Sequence, residues 1–213
     1  MGEYKMTRTI FWNVDTQYDF MKPDGKLSIP GAMGIEGNLE RLTNIAHQKK
    51  IQIVNTADWH NEYSTELSDT PDFKTTFPRH CMQWTKGACW IPATMPLRPF
   101  AVYWGAENFD EKRLAEHNGD IVIYKDQFDV FTGSRHTEKI LEIIKPQRAI
   151  VYGVATNVCV DFAVRGLLQR GVEVYVLTDA IKELPGLPLE KVLDAWKNEG
   201  AVLIKTAEVT KYI

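Results

Sequence analysis

Apolar residues fall along the chain in short runs, separated by stretches of helical periodicity. Thr9 to Val14, Ile51 to Asn55, Ile121 to Tyr124, Ala149 to Tyr152, Val172 to Leu177 and Ala201 to Ile204 are rich in Val and Ile. Each is apolar on successive residues, which predicts strands covered on both faces, because a strand with one wet face alternates. Between them, Glu36 to Lys49 aligns Leu39, Leu42, Ile45 and Ala46 at helical spacing, and Leu189 to Asn198 aligns Val192, Leu193 and Trp196. Asn157 to Arg170 predicts a further helix, stopped by Gly171.

Strand and helix in alternation predict an α/β fold: a three-layer α/β/α arrangement, Rossmann-like, around a mostly parallel six-stranded sheet. Residues 58 to about 118 break the rhythm, being rich in Pro, Thr, Trp and charge. A structureless loop of that length is unusual in a compact domain, so a functional excursion with local structure is expected there. Its tryptophans Trp84, Trp90 and Trp104 are expected to pack it. The whole chain of 213 residues is about 1.4 times a typical domain, and residues 1–213 are expected to form one.

Composition removes several classes of function. With 44% hydrophobic and 25% charged residues the chain is neither disordered, collagenous nor a coiled coil. Its net charge of −3 comes with no basic block, so neither nucleic acid nor an anionic membrane is an expected partner. Three cysteines, Cys81, Cys89 and Cys159, predict free thiols in a reducing compartment rather than a disulfide scaffold. The charged start, residues 1–8, leads into a strand with no apolar run and cleavage site after it, and no window is long enough to span a membrane. A cytoplasmic location is the expectation.

In open α/β sheets, ligands gather beyond the carboxyl ends of strands. Four chemically loaded segments fall there: Asp15, Asp58–Trp59–His60, Lys125, and Gly153 to Cys159. A carboxylate at Asp15 suits a general base. Cys159 sits in the first turn of a predicted helix, where free N–H groups and the helix dipole lower a thiol's pKa and can hold an oxyanion. Singly, the three residues have plain structural accounts: a capping aspartate, a snorkelling lysine, a small buried cysteine. An acid, a cation and a thiol on three strand ends form a nucleophile-activating set.

Asp58, His60 and His80 make a second set, of metal ligands, with Glu66 as a candidate fourth and Glu62, Asp69 and Asp72 as its rivals. Oxygen and imidazole donors suit one divalent ion: Zn, Mn, Fe or Co. Cys81 and Cys89 lack a Cys-x-x-Cys spacing and are weak ligands, while His47, His117 and His136 are expected on the surface.

Six blocks run in a familiar order: Val14–Asp15–Thr16–Gln17–Tyr18–Asp19–Phe20, Leu27 to Ala32, Asp58–Trp59–His60, Phe77 to Cys81 with Gly87, Lys125, and Gly153 to Val160. In them the chain resembles the nicotinamidase branch of the isochorismatase-like cysteine hydrolases. The resemblance implies a catalytic triad of Asp15, Lys125 and Cys159. It also implies oxyanion donors at the N–H groups of Ala155 and Cys159, and a non-proline cis peptide at Val154–Ala155. Phe20 and Phe77 match positions that flank the substrate's pyridine ring. Metal ligands carry over to Asp58, His60 and His80, with zinc the first choice. Glu66 stands where many members have a further histidine.

A small amide is the implied substrate, nicotinamide first, in a pathway that salvages NAD. Members of this fold often form dimers or larger assemblies, so a homo-oligomer is one option. Thr156–Asn157–Val158–Cys159 departs from the usual Thr-Asp-Tyr-Cys and resembles relatives that hydrolyse carbamoyl compounds such as ureidoacrylate. Those relatives generally lack the metal blocks that this chain keeps. Outside hydrolases, a non-catalytic homologue that binds a pyridine metabolite and a redox-sensing thiol protein are the alternatives.

Overall fold

The computed structural model describes residues 7–186 and 188–213; residues 1–6 of the charged N-terminal stretch lie outside the described residues. The strands are β1 (Thr9–Val14), β2 (Ile53–Asp58), β3 (Phe100–Val102), β4 (Ile121–Lys125), β5 (Arg148–Val154), β6 (Glu173–Lys182) and β7 (Val202–Ile204). They form one sheet in the order β3-β4-β2-β1-β5-β6-β7, every neighbouring pair parallel. The helices are α1 (Tyr18–Met21), α2 (Glu36–Lys49), α3 (Glu111–Ala115), α4 (Val130–Gly133), α5 (Thr137–Ile144), α6 (Cys159–Gln169) and α7 (Leu189–Asn198).

The sheet has seven strands where the apolar runs predict six. The additional strand is β3, inside the excursion. It holds three residues, its central Ala101 is exposed, and it pairs only with β4 at the sheet's edge. So short a segment with one wet face leaves no continuous apolar run to read. Four other strands run further than predicted: β2 continues to Asp58, β4 to Lys125, β5 to Val154 and β6 to Lys182.

The central strands explain themselves. Ile10, Phe11 and Trp12 of β1 are fully buried on successive positions, as are Ala149 to Tyr152 of β5. Leu39, Leu42 and Ala46 give α2 its buried face. Each such Val, Leu, Ile or Phe contributes roughly 1.5–3 kcal/mol by leaving water. α2 stops where Lys50 turns left-handed at φ 56° and returns its N–H to the carbonyls of Ala46 and His47.

β5 packs tightly against β1 at Gly153, which is paired with Val14. Its φ of 117° suits glycine, and a Cβ there would sit 2.1 Å from the Val14 carbonyl oxygen. Just before Gly153 the β5–β6 register jumps, from Val151 opposite Val176 to Gly153 opposite Ile181. The longer β6 thereby reaches the turn after β5, and its Lys182 carbonyl accepts the Thr156 N–H at 2.9 Å.

One expected surface residue is not at the surface. His136 is buried, with Nε2 2.9 Å from the Ala106 carbonyl and its ring edge-on to Phe109. It starts α5, and packing of that helix against the excursion covers it. His47 is half-buried and pairs through Nε2 with Asp120 at 2.9 Å. Among the described residues no helix is long and apolar enough to cross a membrane.

Candidate active site

Four adjacent strands, β4, β2, β1 and β5, carry their chemistry to one edge. Asp58 ends β2 and Lys125 ends β4, and the two are register partners across the parallel ladder. Asp15 follows β1 directly, in a left-handed conformation at φ 48° that turns the chain out of the strand. Cys159 opens α6, six residues past Gly153.

Lys125 is the hub. Its side chain is 1% exposed, and the ammonium has three donors for three neighbours. Nζ bonds tightly to Asp58 Oδ1, lies 2.9 Å from Asp15 Oδ2 and donates to Cys159 Sγ at 3.7 Å. Burial works against its charge, but Asp15 and Asp58 outweigh burial and hold its pKa well above the usual lysine value. Burial also raises Asp15, against the pull of Lys125 and a 2.6 Å hydrogen bond from the Thr56 hydroxyl. For Asp58 burial again opposes ionisation, yet Lys125 and the two histidines keep its pKa well below the ordinary carboxylate range.

Cys159 behaves differently from the helix-terminus expectation. Burial pushes its thiol well above the ordinary value, Lys125 opposes that shift, and Asp15 and Asp58 reinforce it. Burial therefore favours the thiol over the thiolate, and a base stands beside it: Asp15 and Cys159 bring ligand atoms within 4.8 Å of each other. In the preceding turn, the Val154–Ala155 peptide is cis. The Val158 and Val160 N–H groups both donate to the Ala155 carbonyl, at 3.1 Å, so neither Ala155 N–H nor Cys159 N–H is used in these turn bonds.

Asp58, His60 and His80 offer donor atoms that all lie within 4.8 Å of one another, each residue buried. Asp58 Oδ2 stands 3.8 Å from His60 Nε2 and 3.5 Å from His80 Nε2. The far nitrogens are occupied: His80 Nδ1 is 2.7 Å from the Pro78 carbonyl and His60 Nδ1 is 3.1 Å from Asp126 Oδ1. Such partners fix the tautomer that turns a lone pair on Nε2 toward the cluster. His60 Nε2 is fully buried with no hydrogen-bond partner, as a waiting metal ligand would be. Two imidazoles and a carboxylate fit a divalent ion with open positions.

Glu66 stands outside that cluster among the described residues. Its Oε1 accepts the Phe128 N–H at 2.8 Å, and burial pushes its pKa up to about 8. Of its rivals, Glu62 pairs with Arg79, Asp69 lies 3.8 Å from the same guanidinium, and Asp72 caps its own loop. Cys81 is buried, with its Sγ 3.8 Å from the Gly87 carbonyl, and Cys89 is exposed; neither joins the metal set.

Phe20 and Phe77 do line a narrow pocket together with Cys159, Asp58 and His80. Four further walls escape the sequence reading: Leu27, Phe128, Val158 and Leu184. Phe128 meets Phe77 edge to face, with centroids 5.6 Å apart at 88°. Leu27 opens one of the blocks quoted above and Val158 stands beside the cysteine, so both carry a sequence signal; Phe128 and Leu184 reach the pocket from loops whose path no periodicity records. The tryptophans lie elsewhere: Trp104 Nε1 donates to the Trp59 carbonyl at 2.9 Å, whereas Trp84 touches the Trp59 ring edge-on but is 82% exposed, against the packing expected of it.

Known proteins share this architecture. A zinc complex of pyrazinamidase from Pyrococcus horikoshii superposes with a TM-score of 0.72 at 27% identity, covering 93% of this chain and 99% of that one. The nicotinamidase of Escherichia coli is 27% identical over 186 residues, 79% of this chain and 80% of its own length. The nicotinamidase/pyrazinamidase of Mycobacterium tuberculosis is 26% identical over 174 residues, 78% of this chain and 82% of its own. The Isochorismatase domain model matches residues 9–208, nearly the whole chain, and on that match the chain belongs to the isochorismatase family.

Proposed function

We propose that the chain, acting as one domain, is a metal-assisted cysteine amidohydrolase that converts nicotinamide and water to nicotinate and ammonia. The observation that carries the reading is the buried Asp15–Lys125–Cys159 set, whose cysteine lines a narrow pocket with Phe20 and Phe77, with the Asp58–His60–His80 cluster beside it. The names of the related nicotinamidases support the same substrate.

Phe20 and Phe77 hold the pyridine ring, so the carboxamide carbon lies against Cys159 Sγ. Positioning of this kind supplies several kcal/mol of the barrier reduction. Asp58, His60 and His80 would hold a divalent ion, zinc being the first choice, which would supply a Lewis acid for the substrate's ring nitrogen. Asp15 takes the thiol proton as Sγ forms its bond to the carboxamide carbon, and Lys125 stabilises the sulfur as it becomes anionic. The raised pKa of Asp15 brings this base nearer the working pH. The N–H groups of Ala155 and Cys159 receive the oxyanion. The C–N bond then breaks, and ammonia leaves with the proton that Asp15 returns. Water adds to the thioester while Asp15 takes its proton, the C–S bond breaks, and the thiol and nicotinate are released.

A carbamoyl acid such as ureidoacrylate is the second reading, favoured by Asn157–Val158. Its carboxylate needs a cation in the acyl pocket, and no Arg or Lys is among the described residues that line it. Ammonia release from nicotinamide decides between the two, measured beside Cys159→Ala and a chelated sample. Release lost in both controls is expected. Release that survives Cys159→Ala sinks the mechanism, and release only from carbamoyl acids moves the substrate.

A further inference from the structure

Glu66 occupies the place of an expected metal ligand, yet its contacts lead elsewhere. Its side-chain Oε1 accepts the Phe128 N–H at 2.8 Å, and its main-chain carbonyl accepts the Phe77 N–H at 2.8 Å. One residue thus ties the main chain at both phenylalanines whose rings meet edge to face in the pocket wall. The neighbouring Leu67 pairs with Phe77 as a short parallel bridge, and the Phe77 carbonyl accepts the Ser68 N–H at 2.9 Å.

The turn that bears Phe128 is tied to the excursion a second time. Asp126 accepts a short hydrogen bond from the Ser64 hydroxyl and faces His60 Nδ1 at 3.1 Å. The segment 64–66 therefore grips the turn 126–128 at two points: Ser64 through Asp126, which orients a metal-cluster histidine, and Glu66 through Phe128, which lines the slot.

We infer that Glu66 is a positioning residue for the aromatic slot, setting Phe77 and Phe128 against the substrate ring, and is not a ligand of the metal. The inference rests on the amidohydrolase reading only for its kinetic arm. A side chain held in one rotamer by such support sets ring-binding geometry, so its loss falls on substrate affinity more than on the chemical step.

The test compares the full chain with Glu66→Gln and Glu66→Ala, loaded with zinc. Zinc affinity is read by competition with a chelator, the Phe128 amide by hydrogen exchange, and nicotinamide hydrolysis by KM and kcat. Both variants are expected to bind one zinc per chain with an affinity within about twofold of wild type. Glu66→Ala is expected to raise KM about tenfold, the effect of one lost hydrogen bond at the upper end of the usual range, with little change in kcat, and to speed exchange at Phe128. Glu66→Gln, whose amide oxygen accepts the same N–H, is expected to recover both.

A tenfold loss of zinc affinity in both variants, or Gln behaving as Ala in exchange and KM, overturns the inference. Should Glu66→Ala fail to fold, Glu66→Asp takes its place, keeping the carboxyl while shortening the reach to Phe128. A wild-type protein that leaves nicotinamide intact removes the substrate reading alone, because the zinc and exchange arms still decide the role of Glu66.

Discussion

Asn157 and Leu184 hold each other twice: Asn157 Nδ2 donates to the Leu184 carbonyl at 2.8 Å, and the Leu184 N–H donates to Asn157 Oδ1 at 3.0 Å. Leu184 lines the substrate pocket, so a residue two positions before the cysteine fixes a wall it does not itself form. Asn157→Ala removes both bonds, each contributing about 1 kcal/mol. It is expected to raise KM for nicotinamide about fivefold or more while kcat changes little. Asn157→Asp keeps the acceptor and loses the donor, and an intermediate KM is expected. Steady-state kinetics on the two variants checks the order, and equal KM values in all three proteins refute it.

Lys125 carries stability as well as chemistry. Lys125→Met leaves Asp15 and Asp58 buried and facing each other without a cation. Removing one partner of a buried ionic set typically costs about 3–5 kcal/mol. For a chain of this length the thermal midpoint is expected to fall on the order of 10 °C. Calorimetry on the metal-free protein measures it, and an unchanged midpoint contradicts the picture.

Metal binding reports on the buried histidine pair. Zinc at about a hundred times its dissociation constant should add about 2.7 kcal/mol of stability, seen as a rise of several degrees in the melting midpoint. His80→Ala and His60→Ala are expected to abolish the rise, whereas Cys159→Ala keeps it. A zinc-dependent rise that survives in His80→Ala places the ion somewhere else.

Acid acts on the loop that leads to Phe77. Asp72 Oδ1 accepts the N–H groups of Lys74, Thr75 and Thr76, and these bonds hold its pKa below the ordinary carboxylate value. A depressed native pKa contributes stability that is complete above the unfolded value of about 3.9 and is lost as pH falls through the native value. Exchange protection of residues 74–76 is therefore expected to hold at neutral pH and to decline only in strong acid. Asp72→Ala should lack that protection at every pH, and equal exchange in the two proteins at neutral pH rules the cap out.

Much of this arrangement is legible in the chain because strands buried on both faces write continuous apolar runs. Their carboxyl ends can then be located to within a few residues, which brings Asp15, Asp58 and Lys125 to one edge. His60 and His80 follow from the chemistry of their side chains. The excursion is less legible, since its order comes from hydrogen bonds between distant loops, such as Glu66 to Phe128, which leave no periodicity. β3 is too short to register, and burial of His136 depends on a helix packing against that irregular segment. The direction of the Cys159 shift eludes a local reading for a related reason: position at a helix start is visible in sequence, whereas the depth of burial and two nearby carboxylates are not.

The ladder between β2 and β4 has an implication for inheritance. Asp58 and Lys125 meet only because their strands stand in one register, and side chains alternate faces with a period of two. A single-codon insertion within 121–125 would leave every catalytic letter of the gene intact and still turn the lysine toward the wrong face of the sheet. The same insertion at a solvent-facing loop tip shifts nothing in the site. Tolerance to changes of length along this gene should therefore follow strand register, with the four site-bearing strands as its least permissive stretches.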